Sequence, residues 1–459
     1  MSENRTEFRS VDPSNGQLVG ERPEATAADL EAALSQTDAA FTEWSRAPLE
    51  TRATALRSLG TVLRRRAAAD GLMMAEEMGK PFAQGKGEAE KCAWACEFAA
   101  EHAAAWLAPD HIATEATASY VRHDPMGPIL AIMPWNFPFW QLFRFGASAL
   151  MAGNTIVLKH APNVPRCAEA IVEIAREAGL PEGLIVSMNA RVDQIEGLIA
   201  DRRVAAVTLT GSTRAGQAVA AAAGRHLKPS VLELGGSDPF IVLEDADLDK
   251  AADVAARARL LNNGQSCIAA KRFIVVKSVA EAFVERFRAA METHTLGDPR
   301  EAATQVGPMA RRDLRDELAD QVARSIAAGA RCLLGGATPA QDGWWYPPTL
   351  LVDAGPGMAA WDDETFGPCA AVRVVADADA AIAAASASPY GLGAALWTQD
   401  RDRAAALAAR LRCGAVFVND LVRSDPRMPF GGTKMSGWGR ELGREGMLQF
   451  TDVKSVWIA

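Results

Sequence analysis

Apolar side chains recur at three- and four-residue spacing in the first quarter of the chain, which predicts helices over 27–46, 51–78 and 87–107. Two short apolar runs around a Pro/Gly turn follow at 118–134 and predict a pair of strands. From residue 154 to about residue 430, short buried strands alternate with amphipathic helices through short links. This alternation predicts an α/β fold in which helices cover parallel sheets.

The alternating region contains two series of strands. The first series has strands at 154–158, 184–188, 204–210 and 230–234, and the second begins with 239–243 and 272–276. The last stretch, 450–458, is again strand-like, so it can extend a sheet elsewhere in the molecule or in a partner chain.

The composition is that of a large globular protein with an acidic balance of charge. With 459 residues, 49% of them hydrophobic, the chain can form about two to three domains. Its net charge of −9 disfavours nucleic acids and anionic membranes, which select basic surfaces. The polar N-terminus lacks the apolar run of a signal peptide, and the apolar stretch 129–135 is too short to span a membrane. We expect a cytoplasmic protein that binds neither nucleic acid nor membrane.

The seven cysteines are irregularly spaced and odd in number, which argues against a disulfide framework. Cys92 and Cys96 lie one helical turn apart, but no second pair of ligands accompanies them. We therefore expect no metal site.

Cys267 is the most informative of these cysteines. It ends a polar, glycine-containing loop, 262–267, whereas a core cysteine stands in an apolar run. Glu233 is set between leucines and glycines in 231–236, so its carboxyl group lies in an apolar wall. A thiol and a carboxylate of this kind suit a nucleophile and a general base that act at a carbonyl carbon. Taken singly, each could equally be a buried structural thiol or a salt-bridged glutamate.

Two further segments carry polar groups that could take part in binding or catalysis. Asn136, between two prolines and two aromatic residues in 134–138, is a pre-organised donor suited to an oxyanion hole, although a plain turn would look similar. The segment 210–216 joins a strand to a helix, where glycine lets the backbone approach a phosphate and Ser212 can cap the helix. It is not the common Gly-x-Gly-x-x-Gly fingerprint.

Two more residues stand where a ligand of an α/β sheet would bind. Lys159 ends a buried parallel strand, at the edge of the sheet where such ligands lie. Glu364 stands next to an aromatic residue, Phe366, and a tight turn.

Together these segments resemble the aldehyde dehydrogenase superfamily, and the resemblance covers nearly the whole chain. In chain order they are Pro134–Pro138, Lys159, Gly211–Gly216, Glu233–Gly236, Gly264–Cys267, Glu364–Pro368 and Pro429–Gly437. The resemblance implies a Rossmann-type cofactor domain, an α/β catalytic domain and a small oligomerisation flap. The implied ranges are 1–117 and 135–235 for the dinucleotide-binding domain, 236–430 for the catalytic domain, and 118–134 and 446–459 for the flap.

The resemblance also implies roles for single residues. Cys267 would attack the aldehyde carbon, Asn136 and the Cys267 N–H would hold the oxyanion, and Glu233 would activate water. Lys159 would bind the adenosine ribose, Gly211 and Ser212 the pyrophosphate, and Glu364 with Phe366 the nicotinamide ribose and ring. The remaining cofactor contacts would come from Trp135, Asn136, Pro162, Gly216 and Leu234.

Within the superfamily, the chain resembles most the short-type bacterial succinate-semialdehyde dehydrogenases, on the segments 131–136, 158–164 and 233–240. A substrate with a carboxylate needs a cation in its pocket. Arg144 follows Asn136 by about two helical turns and could face the same pocket, where a guanidinium can grip a carboxylate. Ser424 occupies the matching loop position and could donate a second hydrogen bond.

Pro162 departs from many NAD-preferring relatives, which carry a glutamate three residues after the lysine. Without that carboxylate, a 2′-phosphate meets no repulsion. We therefore expect NADP to be accepted, alongside or ahead of NAD.

Other readings compete with a semialdehyde dehydrogenase that forms a thiohemiacetal and then a thioester. They are a broad short-chain aldehyde dehydrogenase, a cofactor-independent thiol esterase, and a structural protein on the same fold. Glu233 and the turn at Gly211 argue against the esterase, and the presence of Cys267 and Glu233 argues against the structural protein. The flap implied by the resemblance leads us to expect a homodimer or a homotetramer.

Overall fold

The computed structural model describes residues 8–459, so the polar segment 1–7, part of the predicted dinucleotide-binding domain, lies outside the described residues. The strands are β1 Phe8–Val11, β2 Leu18–Arg22, β3 Asp110–His111, β4 Ala118–Pro125, β5 Pro128–Ile132, β6 Thr155–Lys159, β7 Ile185–Ser187, β8 Ala206–Thr210, β9 Ser230–Glu233, β10 Pro239–Val242, β11 Arg272–Val276, β12 Arg331–Leu334, β13 Thr349–Val352, β14 Cys369–Val375, β15 Gly393–Trp397, β16 Ala415–Val418, β17 Gly437–Trp438 and β18 Thr451–Ile458.

The α-helices alternate with these strands after residue 139. They are α1 Ala27–Trp44, α2 Leu49–Met78, α3 Phe82–Trp106, α4 Trp140–Ala152, α5 Pro165–Glu177, α6 Ile195–Ala200, α7 Thr213–Arg225, α8 Leu248–Leu260, α9 Ala280–Glu292, α10 Arg312–Ala327, α11 Ala359–Asp362, α12 Ala378–Ser386, α13 Arg401–Ala408 and α14 Gly443–Leu448. The predicted α/β fold class is confirmed.

The first three helices have clear local signals. A capping box starts α1, where Thr26 and Asp29 exchange side-chain and backbone hydrogen bonds. Gly79, with φ of +74°, ends α2 in the left-handed conformation that glycine adopts readily. Helices α2 and α3 approach closely where Gly71 meets the backbone of Lys86, and a Cβ on Gly71 would lie 2.7 Å from the Lys86 nitrogen.

The first large sheet has the order β17-β9-β8-β5-β6-β7 and is parallel except for β17. The prediction that 118–134 belongs wholly to a flap is wrong for β5, which pairs with both β6 and β8 in this sheet. Four of its five residues are buried, which suits a central parallel strand. The turn at Gly127, fixed by hydrogen bonds from Met126 N and Gly127 N to Asn154 Oδ1, separates it from β4.

The second large sheet has the order β12-β13-β14-β11-β10-β15-β16 and is parallel except for the edge strand β12. Its helices cover both faces with separate apolar clusters. Because β9 of the first sheet and β10 of the second follow each other closely in the chain, the Glu233–Gly236 segment connects the two sheets.

A three-stranded antiparallel sheet has the order β18-β4-β3, and its strands β4 and β18 lie within the ranges predicted for the oligomerisation flap. Strand β18 pairs with β4 from Thr451 opposite Pro125 to Ile458 opposite Ala118. This sheet also includes β3, which lies inside the range predicted for the dinucleotide-binding domain. None of the helices between residues 8 and 459 combines the length and apolar content that a membrane span requires.

Candidate active site

The loop that carries Cys267 follows α8 and has an unusual backbone. Asn262, Asn263 and Gly264 have φ values of 53°, 57° and 73°, in the left-handed region that asparagine and glycine tolerate best. Position 264 also requires glycine for space, because a Cβ there would collide with the backbone of Gly367. The sequence Asn-Asn-Gly is therefore what allows this sharp turn.

A buried lysine holds the same loop through hydrogen bonds to its backbone. The Lys271 Nζ donates hydrogen bonds to the carbonyl oxygens of Ser266, Cys267 and Ala269 at 3.2, 3.0 and 3.1 Å. Burial lowers the pKa of Lys271. Sequence reasoning missed this residue, because a single lysine before a strand has no distinguishing pattern.

Asn136 is bound to the loop on both sides, just before α4 begins. Its Nδ2 donates to the Gln265 carbonyl at 3.1 Å, and its own carbonyl accepts from Asn262 Nδ2 at 2.7 Å. The second Nδ2 hydrogen and the Cys267 N–H have no hydrogen-bond acceptor among residues 8–459. The structure thus brings together the predicted oxyanion donors and leaves both of them available.

Cys267 is half-buried and is not in a disulfide. Burial raises the pKa of its thiol to about 12, with Glu233 and Glu364 contributing in the same direction. Arg144 and Lys271 oppose the shift. The resting residue is therefore a protonated thiol, which needs a base to become a nucleophile.

Glu233 ends β9 and is buried, and neither carboxylate oxygen has a hydrogen-bond partner within the described part of the chain. Burial raises its pKa to about 8, with Arg144 lowering it and the neighbouring carboxylate of Glu441 raising it. A carboxyl group with this pKa can release and take up a proton near neutrality.

Arg144 has partners that the sequence did not indicate. Its guanidinium is buried, forms an ion pair with Glu441, donates to Thr210 Oγ1 at 3.2 Å and lies 3.8 Å from Glu233. It is therefore paired with Glu441 and lies beside Glu233, and its binding of a substrate carboxylate stays a prediction. The sequence could not show this, because Glu441 lies 297 residues further along the chain.

Ser424 lies in a small polar group next to α4. Its Oγ accepts hydrogen bonds from Trp140 Nε1 at 3.0 Å and from Lys91 Nζ at 2.9 Å. Lys91 belongs to α3 and was not singled out from the sequence, since a lysine on a helix is usually a surface residue.

Lys159 ends β6 and is the buried cation expected near a dinucleotide. Burial lowers its pKa to about 8. No carboxylate oxygen of residues 8–459 lies within 4.0 Å of its Nζ, and Pro162 three residues later is exposed. An unpaired buried cation fits the hydroxyl or phosphate oxygens of a ribose.

The turn predicted at 210–216 is present at the start of α7. Ser212 caps this helix by accepting from Ala215 N at 3.3 Å, and Gly211 N donates to the Glu233 carbonyl at 3.0 Å. Gly216 faces Leu234 so closely that a Cβ would lie 2.5 Å from a leucine methyl carbon. The N-terminus of α7 favours an anion, and the glycines at 211 and 216 leave space for a pyrophosphate.

The last predicted cofactor residues meet across the two sheets. Glu364 Oε1 accepts from Gly236 N at 2.9 Å, and burial raises the pKa of this carboxyl. The Trp135 and Phe366 rings pack edge to face with centroids 5.8 Å apart. A Cβ on Gly235 would collide with the Glu364 carboxylate, so glycine is needed for this approach.

An active site that oxidises an aldehyde needs a nucleophilic cysteine, a hydrogen-bond donor for the oxyanion and a surface that fits a dinucleotide. This fold has residues suited to all three. The chain belongs to the aldehyde dehydrogenase family, whose model matches residues 1–456. The predicted superfamily membership is thereby confirmed.

Two similar proteins within the aldehyde dehydrogenase family are succinate-semialdehyde dehydrogenases. The chain is 46% identical to the NAD(P)+ succinate semialdehyde dehydrogenase Sad of Escherichia coli K12, over 98% of this chain and 97% of the relative. It is 47% identical to a probable NADP+ succinate-semialdehyde dehydrogenase of Synechocystis, over 98% and 99%.

Two solved structures have nearly the same fold. One is the structure of Gox0499, which concerns cofactor and substrate selection by that protein. It has a TM-score of 0.97 at 38% sequence identity, and the match covers 99% of this chain and 100% of the Gox0499 chain. The Streptococcus pyogenes succinic semialdehyde dehydrogenase in complex with NADP+ has a TM-score of 0.96 at 33% identity, with coverages of 98% and 99%.

Proposed function

We propose that this protein oxidises succinate semialdehyde, or a similar carboxylated aldehyde, to the acid with NADP or NAD. The observation that carries the proposal is the joint fixation of Asn136 and the Cys267 loop beside Glu233. The names of relatives at 44–47% identity support the choice of substrate and cofactor.

The covalent step begins at Cys267. Its thiol gives its proton to a water molecule, and the resulting thiolate bonds to the aldehyde carbon while the carbonyl π electrons move to the oxygen, which gains the negative charge. The second Nδ2 hydrogen of Asn136 and the Cys267 N–H are the donors that stabilise this oxyanion. When bound, a nicotinamide dinucleotide supplies the acceptor for the hydride, and a thioester remains on the sulfur.

Glu233 serves the hydrolytic half of the reaction. Since its pKa is raised to about 8, the carboxylate can take a proton from a water molecule that attacks the thioester carbon. The carbon–sulfur bond then breaks and the proton held by Glu233 passes to the sulfur, so that the acid leaves and the thiol is regenerated.

Residues of both large sheets would hold the dinucleotide. Lys159 would bind the adenosine ribose or its 2′-phosphate, and exposed Pro162 places no negative charge beside it. The pyrophosphate would lie on Gly211, Ser212 and the α7 N-terminus. The nicotinamide half would lie among Trp135, Asn136, Leu234, Glu364 and Phe366.

A panel of aldehydes with NADP and NAD tests this function. We expect NAD(P)H formation with succinate semialdehyde, preferred over uncharged butanal, and loss of turnover in Cys267→Ala. The exposed Cys332 offers a matched control, since Cys332→Ser should keep wild-type rates. Activity that survives Cys267→Ala, or ester cleavage without a dinucleotide, would contradict the proposal.

We also propose that the flap joins copies of the chain into a homodimer or a homotetramer in the cytoplasm. The β18 strand exposes the apolar side chains of Val453, Trp457 and Ile458, and such a surface favours burial against another subunit. Light scattering should give a multiple of 48.8 kDa, and Trp457→Glu should reduce it. A wild-type monomer would contradict this assembly.

A further inference from the structure

The N-terminus of α4 is capped by a carboxylate from another helix. Glu88 of α3 is buried, and its Oε1 accepts hydrogen bonds from the N–H groups of Phe139 and Trp140, both at 2.9 Å. The first N–H groups of a helix need acceptors from outside it, and the apolar side chain of Phe139 offers none. A carboxylate also suits the positive end of a helix dipole. Glu88 therefore fixes the backbone that follows Asn136.

A buried lysine completes this contact. Lys80 Nζ forms an ion pair with Glu88 Oε2, so that the backbone of α4 keeps Oε1 as its acceptor. The same ammonium group lies 3.9 Å from the centroid of the Phe137 ring. The Lys80–Glu88 pair thus contacts the residue directly after Asn136 as well as the first turn of α4.

The start of α3 also holds the loop of Cys267. Gln84 Oε1 accepts a hydrogen bond from Asn262 N at 2.7 Å, and the Gly79 carbonyl, just before α3, accepts from Asn263 Nδ2 at 2.8 Å. These two asparagines have the left-handed backbone that begins the sharp turn. Such a conformation persists only where surrounding contacts hold it.

The two sets of contacts come from one turn of α3. Gln84 and Glu88 lie on the same face of the helix and about 6 Å apart along its axis. The bond from the Asn136 amide to the Gln265 carbonyl also joins the two segments, but it engages a side chain. The α3 contacts hold the backbone of both segments, so one rigid helical turn fixes the distance between them.

We infer that Glu88 and Gln84 are positioning residues of the oxyanion site, which set the separation of the Asn136 amide and the Cys267 N–H. The inference rests on the proposed function and deepens it, because the oxyanion belongs to the reaction proposed above. Both residues act through the backbone of other residues. Since every aldehyde has the carbonyl oxygen, their effect does not depend on the rest of the substrate.

Two double variants of equal charge test Glu88. Glu88→Leu/Lys80→Met removes the acceptor, whereas Glu88→Gln/Lys80→Met keeps an oxygen for the two N–H groups. We expect the first to lower kcat/KM about 100-fold for succinate semialdehyde and butanal alike, since a displacement of about 1 Å at the reacting groups has an effect of this size. The second should stay within about fivefold of the wild type, because an amide oxygen accepts less strongly than a carboxylate.

Gln84→Met tests the side of the Cys267 loop and decides the matter alone if the leucine variant does not fold. Gln84 is half-buried, so the helix accommodates the change. We expect kcat/KM to fall about tenfold for both aldehydes. Gln84→Glu keeps an acceptor for Asn262 N and should restore most of the rate. Lys86→Met is the control, because the side chain of Lys86 is exposed on the same turn of α3.

Alkylation of Cys267 by iodoacetamide separates positioning from general damage to the site. The thiolate displaces iodide from a saturated carbon, so no oxyanion develops, and every variant should be alkylated within about twofold of the wild-type rate. Mass spectrometry of the Cys267 peptide measures this rate. Alkylation that falls by the same factor as turnover would assign a merely structural role and overturn the inference.

Unchanged kcat/KM in both Gln84→Met and Glu88→Leu/Lys80→Met would also overturn it. A wild type that prefers butanal would contradict the proposed substrate. Equal losses with the two aldehydes in these variants would still support the positioning role, so the two failures are distinguishable.

Discussion

The guanidinium of Arg144 lies 3.8 Å from the carboxylate of Glu233. A cation at this distance would ordinarily lower the pKa of a carboxyl group. Arg144 is also paired with Glu441, which neutralises its charge and adds a second buried carboxylate to the cluster. Burial therefore dominates, and the pKa of Glu233 stays raised at about 8, as a base near neutrality requires.

Glu233→Gln is expected to stabilise the fold, and to do so more at about pH 8.5 than at about pH 5.5. Because the folded pKa is raised from 4.5 to about 8, the folded protein holds a proton that the unfolded chain has already lost in this range. Wild-type stability therefore falls between these pH values, by at most about 1.4 kcal/mol per pH unit. Urea unfolding of both proteins at both pH values measures the difference. A variant less stable than the wild type at the higher pH would show that Glu233 is held there as a charged partner of Arg144.

Glu233→Gln should also separate the two halves of the reaction. The thiol can still add to the aldehyde, but the thioester lacks the base that activates water. We expect a burst of about one NAD(P)H per active site followed by slow turnover, seen by stopped-flow absorbance. Steady turnover at the wild-type rate would assign the base to another residue.

Arg144→Met should impair the enzyme with every aldehyde and weaken the fold. The change leaves Glu441 buried without its cation, and breaking a buried pair in this way costs about 3–5 kcal/mol. Urea unfolding and kcat/KM for succinate semialdehyde and butanal measure the two effects. Adding Glu441→Gln should recover part of the stability. A stable Arg144→Met protein defective only with succinate semialdehyde would restore the carboxylate clamp suggested by the sequence.

Gly216→Ala should weaken dinucleotide binding and cost about 1–3 kcal/mol of stability, because the new methyl group collides with Leu234. Gly224→Ala is the control in the same helix, since a Cβ there meets nothing within 4 Å. It should bind the dinucleotide normally and be as stable as the wild type or more so. Cofactor titration by NAD(P)H fluorescence distinguishes the two. Equal affinities would remove Gly216 from the pyrophosphate site.

Pro162→Glu should shift the cofactor preference toward NAD by placing a carboxylate near the ribose that Lys159 would bind. We expect KM for NADP to rise about tenfold, which corresponds to about 1.4 kcal/mol of repulsion. Pro162→Gln has a similar shape without charge and should change KM for NADP much less. Equal changes in the Glu and Gln variants would show that shape, not charge, acts at this position.

The sequence predicted the site best where the signals were local. The loop 262–267, the Ser212 cap and the strand ends at Lys159 and Glu233 all follow from neighbouring residues, and the structure has them. The sequence did not predict contacts between residues that are far apart in the chain, or the sheet in which an apolar strand is packed. Nothing near Arg144 indicates that Glu441 will neutralise it. An apolar run such as β5 is equally compatible with a flap and with a central sheet.

Residues 437–458, near the C-terminus, contact three different parts of the molecule. Strand β17 pairs with β9 beside Glu233, Glu441 neutralises Arg144, and β18 completes the three-stranded sheet. During synthesis, the surroundings of the base cannot assemble until residue 441 has left the ribosome. We therefore expect catalytic competence to arise late in biogenesis, at almost the same moment as the β18 strand, which we propose meets another copy, so that partly made chains are inactive.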